Sequence, residues 1–198
     1  MRVEIEKYNP EWSTVFKCLQ LELEALLIDF KPTIEHIGST AVPGLSSKPV
    51  IDILVGVKEA ASLDKVPNAL TKHDYVYYKK YDALMSYRRF FVKLKSRPCN
   101  FTIPKIYTSE DEIPEEIDPY KLANVHVIEY ESNNWLRHIA FREYLKNNPE
   151  AKNNYEEFKL KLGNLFWLEN GEYASAKNDF IKDVEAKALA WYGRRGSC

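Results

Sequence analysis

In the first quarter of the chain, apolar residues first follow a helical spacing and then occur in shorter runs. Downstream of Asn9-Pro10 they recur at every third or fourth position, which predicts a helix that opens the fold and ends before Pro32. Shorter apolar runs follow, and they predict a strand over residues 33–37 and a central strand over residues 49–57. One carboxylate, Asp52, interrupts the second run.

The remaining pattern predicts further strands and then helices. Helix is predicted for residues 60–72, one or two strands between residues 75 and 94, and another strand over residues 123–130. Four prolines and the acidic stretch SEDEIPEEIDP between residues 96 and 121 predict a long surface excursion or lid. Helices are predicted over residues 135–146, from residue 148 to residue 166, and over residues 174–192.

This order of elements predicts one domain over residues 1–192, followed by a flexible tail over residues 193–198. Its class is α/β of the α+β type, with a mixed β-sheet flanked by helices and a helical C-terminal part. A formal net charge of -1 provides no overall field that would favour nucleic acid. Neither a signal peptide nor an apolar run of membrane-spanning length is found, so a cytoplasmic protein is expected. Three widely spaced cysteines are expected to be reduced thiols.

The stretch EHIGSTAVPGLSSKPVIDILV, residues 35–55, carries the most informative chemistry. It is not a Walker A loop, because Gly38 and Gly44 are separated by five residues and Leu45 stands where that motif has lysine. A turn at Gly38-Ser39 that leads into a short helix or loop would still present backbone N–H groups and the Ser39 hydroxyl to phosphate oxygens. Burying the carboxylate of Asp52 costs several kcal/mol unless it is paired, hydrogen-bonded or bound to a metal. Asp52 therefore requires a partner.

A Gly-Ser turn followed by an acidic residue on the next strand resembles the DNA-polymerase-β-like nucleotidyltransferase superfamily. More narrowly, the segments HIGSTAVPGLSSKPVIDI, RRFFVK, NVHV and WLRHIAFREYLKNNPEAKNNYEEFK resemble the GrpB family, whose domain is also found fused to some dephospho-CoA kinases. The resemblance runs from Ile5 to Trp191. It implies a fold of nucleotidyltransferase type, with Mg²⁺ on Asp52 and with His126 completing the catalytic site.

Two positions depart from these patterns. The superfamily pattern is Asp-x-Asp, whereas position 54 here is Leu54, and Asn124 stands where many GrpB relatives carry a histidine. Two hypotheses follow for a protein that binds a nucleotide or a phosphorylated small molecule. It is a metal-dependent nucleotidyltransferase with a reduced metal site, to which Glu129 or Glu131 could add a carboxylate, or it is a catalytically inactive ligand-sensing or partner-docking module.

Four cations are candidates for binding phosphate together with Gly38 and Ser39. They are Lys48, Arg89, Arg142 and Lys177, the last of which falls inside the apolar stripe of the final predicted helix. Each has a structural alternative. The first, second and fourth could form an ion pair with Asp52. Arg142 is predicted to form a basic wall with Arg137, His138 and Lys159, and the alternative for each of these four is a solvated helix face.

Overall fold

The computed structural model of the chain describes residues 4–165, 175–176 and 178–195. The strands are β1 (Thr33–Ile37), β2 (Ile51–Val57), β3 (Tyr75–Tyr78), β4 (Arg88–Leu94), β5 (Ile106–Tyr107) and β6 (Lys121–Glu129). The helices are α1 (Glu11–Leu26), α2 (Val66–Leu70), α3 (Asn133–Asn147), α4 (Pro149–Gly163) and α5 (Asn178–Arg195). The six strands form one mixed sheet in the order β1-β2-β6-β4-β3-β5, which confirms the predicted class.

Strands β2 and β6 run parallel to each other in the middle of the sheet, and β1 and β4 flank them in antiparallel orientation. Helices or loops cover both faces of this pair, so β2 is apolar at almost every position. The predicted central strand is therefore confirmed, although it begins at Ile51 rather than at residue 49.

One face of the sheet packs against α1 and α2. Alternate residues of β2 and β6 point to this side and form an apolar core with the buried stripe of α1. That core includes Ile51, Ile53, Val55, Val57, Ala123, Val125 and Val127 from the strands and Leu19, Leu23 and Leu27 from the helix and its end. The spacing of apolar residues in α1 thus reflects burial on this face.

The opposite face carries two separate apolar clusters. Leu54 and Ile128 pack beneath Trp135 and Ile139 of α3, while Val76 and Val92 lie with residues of the excursion between β4 and β6. The side chains of Asp52, Asn124 and His126 belong to this same face, because each is an even number of residues from Leu54 or Ile128 on its strand. The fold thereby sets polar groups beside two apolar clusters.

Three predicted elements differ from the structure. Residues 60–72 form a 3₁₀ helix, Ala60–Lys65, followed by the short α2, because Pro67 has no N–H for a continuous helical ladder. The excursion contains β5 and a 3₁₀ helix over Glu115–Tyr120, and Ile117 is buried. Helix α5 runs to Arg195, past the predicted domain end at residue 192.

Predictions for residues 166–174, for Lys177 and for residues 196–198 lie outside the described part of the chain. Cys18 and Cys99 are exposed free thiols. In the described residues, no helix is both long and apolar enough to cross a membrane.

Candidate ligand-binding site

Two adjoining clefts open on the polar face of the sheet. The larger has a volume of about 890 Å³ and lies between the strands and the excursion. The smaller, about 330 Å³, lies between the sheet and residues of α3, α4 and α5. Asp52, Asn124 and His126 line both clefts. The structure therefore brings the two predicted catalytic residues, Asp52 and His126, to one place.

Asp52 has a protein partner in this site. The register of β2 on β6 sets Asp52 beside Asn124, and the Asn124 side-chain Nδ2 donates a hydrogen bond of 2.9 Å to Asp52 Oδ1. A neutral amide provides the carboxylate with a hydrogen bond but leaves its negative charge in place. Asn124 therefore acts as a donor to the aspartate.

Gly38 lies against Asp52 because β1 ends beside it, with Ile37 paired to Asp52. A Cβ atom at Gly38 would lie 2.9 Å from Asp52 Cβ and still closer to the carboxylate. Gly38 also has φ 70° and ψ −168°, a backbone region that is essentially restricted to glycine. The close approach of Asp52 therefore explains why residue 38 is a glycine. The hypothesis of a phosphate-binding turn did not include this reason.

The turn after Gly38 continues only as a 3₁₀ helix of three residues, Ser39–Ala41. So short a helix contributes little macrodipole, and phosphate binding by Gly38 and Ser39 stays a prediction. Ser39 nevertheless lines the smaller cleft.

His126 is held by a neighbouring arginine that was not among the predicted site residues. Arg88 Nη1 lies 3.1 Å from His126 Nδ1, and because a guanidinium only donates, Nδ1 must be the acceptor. Burial, and then the nearby charge of Arg88, lower the pKa of His126 well below 6.5. The ring is therefore neutral with its proton on Nε2. In this state neither ring nitrogen offers a lone pair to a metal or to a substrate proton.

Arg88 itself forms no ion pair with the described residues. Its guanidinium lies over the ring of Phe90 at 5.1 Å, and none of the ion pairs between described residues includes it. Its Nε is buried without a hydrogen-bond partner. A partly desolvated cation that forms no ion pair is costly for the fold, and an anion in the adjoining cleft, which Arg88 lines, would offset that cost.

Arg89, the predicted phosphate ligand, is on the other face of the sheet. It pairs with Val127 in the register of β4 on β6, whereas Phe90 pairs with His126. Its guanidinium binds Asp64 at 2.6 Å and approaches Asp82 at 3.5 Å. The structure thus does not bring Arg89 to Asp52, and Arg88 occupies the place expected for it.

The other predicted cations have different positions. Lys48 lines the smaller cleft, but its Nζ forms an ion pair of 2.5 Å with Asp118. Arg142 lines neither cleft, because its Nη1 binds Glu35 at 2.6 Å and the His36 carbonyl at 2.8 Å, which ties α3 to β1. Lys177 lies outside the described residues.

The predicted basic wall on the C-terminal helices is largely neutralised. Lys159 is buried and its Nζ donates to the Ser46 carbonyl. Arg137 approaches Glu185 at 3.5 Å. Burial, then the charges of Arg137 and Arg88, lower the pKa of His138 to about 4, so this ring is neutral at physiological pH.

The excursion closes the larger cleft from the side opposite the strands. Asp118 is bound by Lys48 and by Lys121, each at 2.5 Å, and Glu112 and Glu115 line the cleft beside it. Tyr78, Tyr81 and Phe90 complete the sheet side with ring centroids 5.5 to 6.0 Å apart. The acidic segment that the sequence suggested as a lid is thus a wall of this cleft.

The donor set does not fit a Mg²⁺ ion held by the protein alone. Leu54, at the position of the second superfamily carboxylate, is fully buried in the apolar cluster under α3. Glu129 pairs with Val57, five residues along the strand and therefore roughly 16 Å from Asp52. Among the described residues there is no group of three or more histidine, cysteine or acidic side chains that could hold a metal. A Mg²⁺ ion beside Asp52 would take most of its ligands from bound phosphate and water.

The Gly-Ser turn, the lone carboxylate of β2 and the histidine of β6 follow one another along the chain, and all three line the smaller cleft. A sequence profile described as GrpB protein matches residues 2–187. The chain belongs to the GrpB family. The family resemblance inferred from the sequence motifs is thereby confirmed.

Comparison with individual GrpB proteins supports the fold as well. A crystal structure of the conserved protein GrpB from Enterococcus faecalis superposes with a TM-score of 0.74 at 27% identity, covering 96% of this chain and 99% of that one. The glutamate-rich protein GrpB of Alkalihalophilus pseudofirmus is 27% identical over 177 residues, which are 89% of this chain and 90% of that protein. A dephospho-CoA kinase of Mycobacterium leprae is 26% identical over 171 residues, and the match covers only 40% of its length.

Proposed function

We propose that this GrpB protein binds a small phosphorylated molecule, such as a nucleotide or another phosphometabolite, in the larger cleft. Arg88 carries the proposal, because it lines the cleft with no carboxylate partner among the described residues. Guanidinium groups bind phosphate oxygens through paired, charge-assisted hydrogen bonds. The adjacent, half-buried rings of Tyr81 and Phe90 supply an apolar surface for the body of the ligand.

Ligand binding without turnover is the activity that these residues favour. His126 is neutral and accepts a hydrogen bond at Nδ1, so it serves as a donor to the ligand rather than as a general base. Asp52 is a single carboxylate whose expected companion is the buried Leu54. We therefore assign the protein a ligand-binding role, with Asp52 and Asn124 as hydrogen-bonding groups on the cleft floor.

Titration calorimetry with Arg88→Gln and Arg89→Gln tests this proposal directly. The probes are AMP, ADP, ATP, inorganic phosphate and dephospho-CoA, the last chosen because one relative is named a dephospho-CoA kinase. Loss of a charge-assisted contact should weaken the bound probe about tenfold or more in Arg88→Gln. The matched neighbour Arg89→Gln, which faces the other side of the sheet, should bind like the native chain.

Two results would contradict the proposal. One is that no phosphorylated probe binds the native chain, and the other is that Arg88→Gln binds as tightly as Arg89→Gln. Titrations of Asp52→Asn with and without Mg²⁺ address the catalytic hypothesis separately. Mg²⁺-dependent binding that Asp52→Asn abolishes, together with pyrophosphate release from ATP, would favour nucleotidyl transfer over a binding role.

A further inference from the structure

The charges that line the larger cleft have both signs. Among the described residues, Lys80, Arg88 and Lys121 face it together with four carboxylates, which belong to Asp52, Glu112, Glu115 and Asp118. A cleft with this balance attracts a bare polyanion less strongly than a cleft lined by cations alone, because the carboxylates repel it. A phosphate alone would match Arg88 but not the carboxylate of Glu112, which forms no ion pair among the described residues.

Arg88, which forms no ion pair with the described residues, and three of the four carboxylates lie on different elements. Arg88 projects from β4 on the sheet side, whereas Glu112 and Glu115 belong to the excursion that forms the other wall. Glu112 takes part in none of the ion pairs between described residues, and its carboxylate is exposed toward solvent. Lys121, by contrast, is occupied by Asp118, and Lys80 donates to the Asp111 carbonyl. The cleft therefore has an unmatched cation on one side and acidic groups on the other.

A buried hydroxyl in the same cleft also indicates a ligand. Tyr78 is 2% exposed and lines the cleft, and its hydroxyl has no hydrogen-bond partner among the described residues. Burial raises the pKa of Tyr78, so the group remains a neutral donor. A buried donor without an acceptor is costly, and a ligand oxygen placed by Arg88 would satisfy it after a small adjustment of the wall.

We infer that the ligand of the larger cleft carries a positive charge next to its phosphate. This inference rests on the proposed phosphate-binding function. The phosphate lies at Arg88, and the positive group lies against Glu112 and Glu115. Two sources supply such a charge, namely an amine that belongs to the ligand or a divalent cation that the phosphates bring with them.

The test compares ligands that differ only in this positive charge. Nuclear magnetic resonance titrations of the ¹⁵N-labelled native chain measure dissociation constants for aminoethyl phosphate and ethyl phosphate, and for ADP with and without Mg²⁺. The same titrations are made on Glu112→Gln/Glu115→Gln and on the matched control Glu110→Gln/Glu116→Gln, whose residues are exposed and do not line the cleft. If the inference holds, aminoethyl phosphate binds the native chain about fivefold tighter than ethyl phosphate, or Mg²⁺-ADP binds it about fivefold tighter than ADP alone. An effect of this size is expected for two exposed carboxylates at low salt.

This advantage should disappear in Glu112→Gln/Glu115→Gln and persist in the control. An advantage confined to aminoethyl phosphate supports an amine, and one confined to Mg²⁺-ADP supports a cation carried by the phosphates. The inference is overturned if neither pair shows an advantage, or if the advantage survives in Glu112→Gln/Glu115→Gln. Failure of the phosphate-binding function is a separate result, since ethyl phosphate and ADP would then not bind at all.

Discussion

The backbone of Gly38 and the carboxylate of Asp52 share a space that admits no Cβ atom. This contact links the two features that stood out in the sequence, the Gly-Ser turn and the aspartate on the central strand. The link is steric and conformational, because Gly38 has a positive φ and Asp52 fills the room beside it. Gly38, which resembled part of a phosphate-binding turn, therefore has a role in accommodating a half-buried charge.

Gly38→Ala should destabilise the protein by about 2–4 kcal/mol, since the backbone strain and the clash with Asp52 add to each other. Gly44→Ala is the matched control. Gly44 also has a positive φ of 77°, but a Cβ atom there would meet only Lys152 Nζ at 3.5 Å, an ordinary contact. Its expected cost is about 1–2 kcal/mol from strain alone. Urea unfolding followed by circular dichroism measures both, and an equal cost for the two variants would refute the steric explanation.

Among the elements, the excursion between β4 and β6 shows how a segment without long helices or strands is held in place. Ile103, Tyr107 and Ile117 anchor it in an apolar cluster with β3 and β4. Asp118 adds polar anchors through Lys48 and Lys121. Burial alone would raise the pKa of Asp118, but the two lysines have the larger combined effect and lower it. The carboxylate therefore stays charged and keeps both lysines in place.

Asp118→Asn should loosen the excursion, because the amide cannot form either ion pair. We expect the free energy of local opening to fall by about 1 kcal/mol, seen as faster amide hydrogen exchange in residues 108–118 and unchanged exchange in α4. The neighbouring Glu116→Gln, an exposed position that does not line the cleft, should leave exchange unaffected. Exchange in Asp118→Asn at the native rate would mean that the apolar anchors suffice.

For the whole molecule, three partly buried histidines link stability to pH. Burial, followed by nearby cations, lowers the pKa of His36 and of His138 to about 4 and lowers that of His126 well below 6.5. In the unfolded chain these rings titrate near 6.5, so below that pH the unfolded state binds more protons than the folded state. Stability from neutral histidines is thus present above about pH 6.5 and is lost as the pH falls toward the folded values.

His138→Gln should reduce this acid sensitivity. Between about pH 7 and about pH 5, the free energy of unfolding of the native chain should fall by about 1–2 kcal/mol more than that of His138→Gln. The control is His73→Gln, which replaces an exposed histidine and should keep the native pH dependence. Urea unfolding at both pH values provides the comparison, and parallel losses in the native chain and His138→Gln would show that His138 does not contribute.

The sequence by itself determined most of the elements, the mixed sheet and the presence of a lone carboxylate, Asp52, in the central strand. Apolar spacing reports which face of each helix or strand is buried, so α1, β1, β2 and the helices from residue 133 onward could be predicted from local patterns. A carboxylate within a run of buried residues is equally visible in one dimension. The interrupted helix over residues 60–70 was less predictable, because its break depends on how Pro67 is accommodated.

Only the tertiary structure decided which cation belongs to the site. Arg88 and Arg89 are adjacent, and the sequence RRFFVKL does not show which of the two side chains faces the cleft. The register of β4 on β6 makes the choice, because a shift of one residue would exchange the two faces of the strand. The partner of Lys48 was equally hidden, since Asp118 is 70 residues away along the chain. Local spacing encodes burial, whereas the pairing of distant charges depends on strand register and on the path of the excursion, which are settled only when the chain packs.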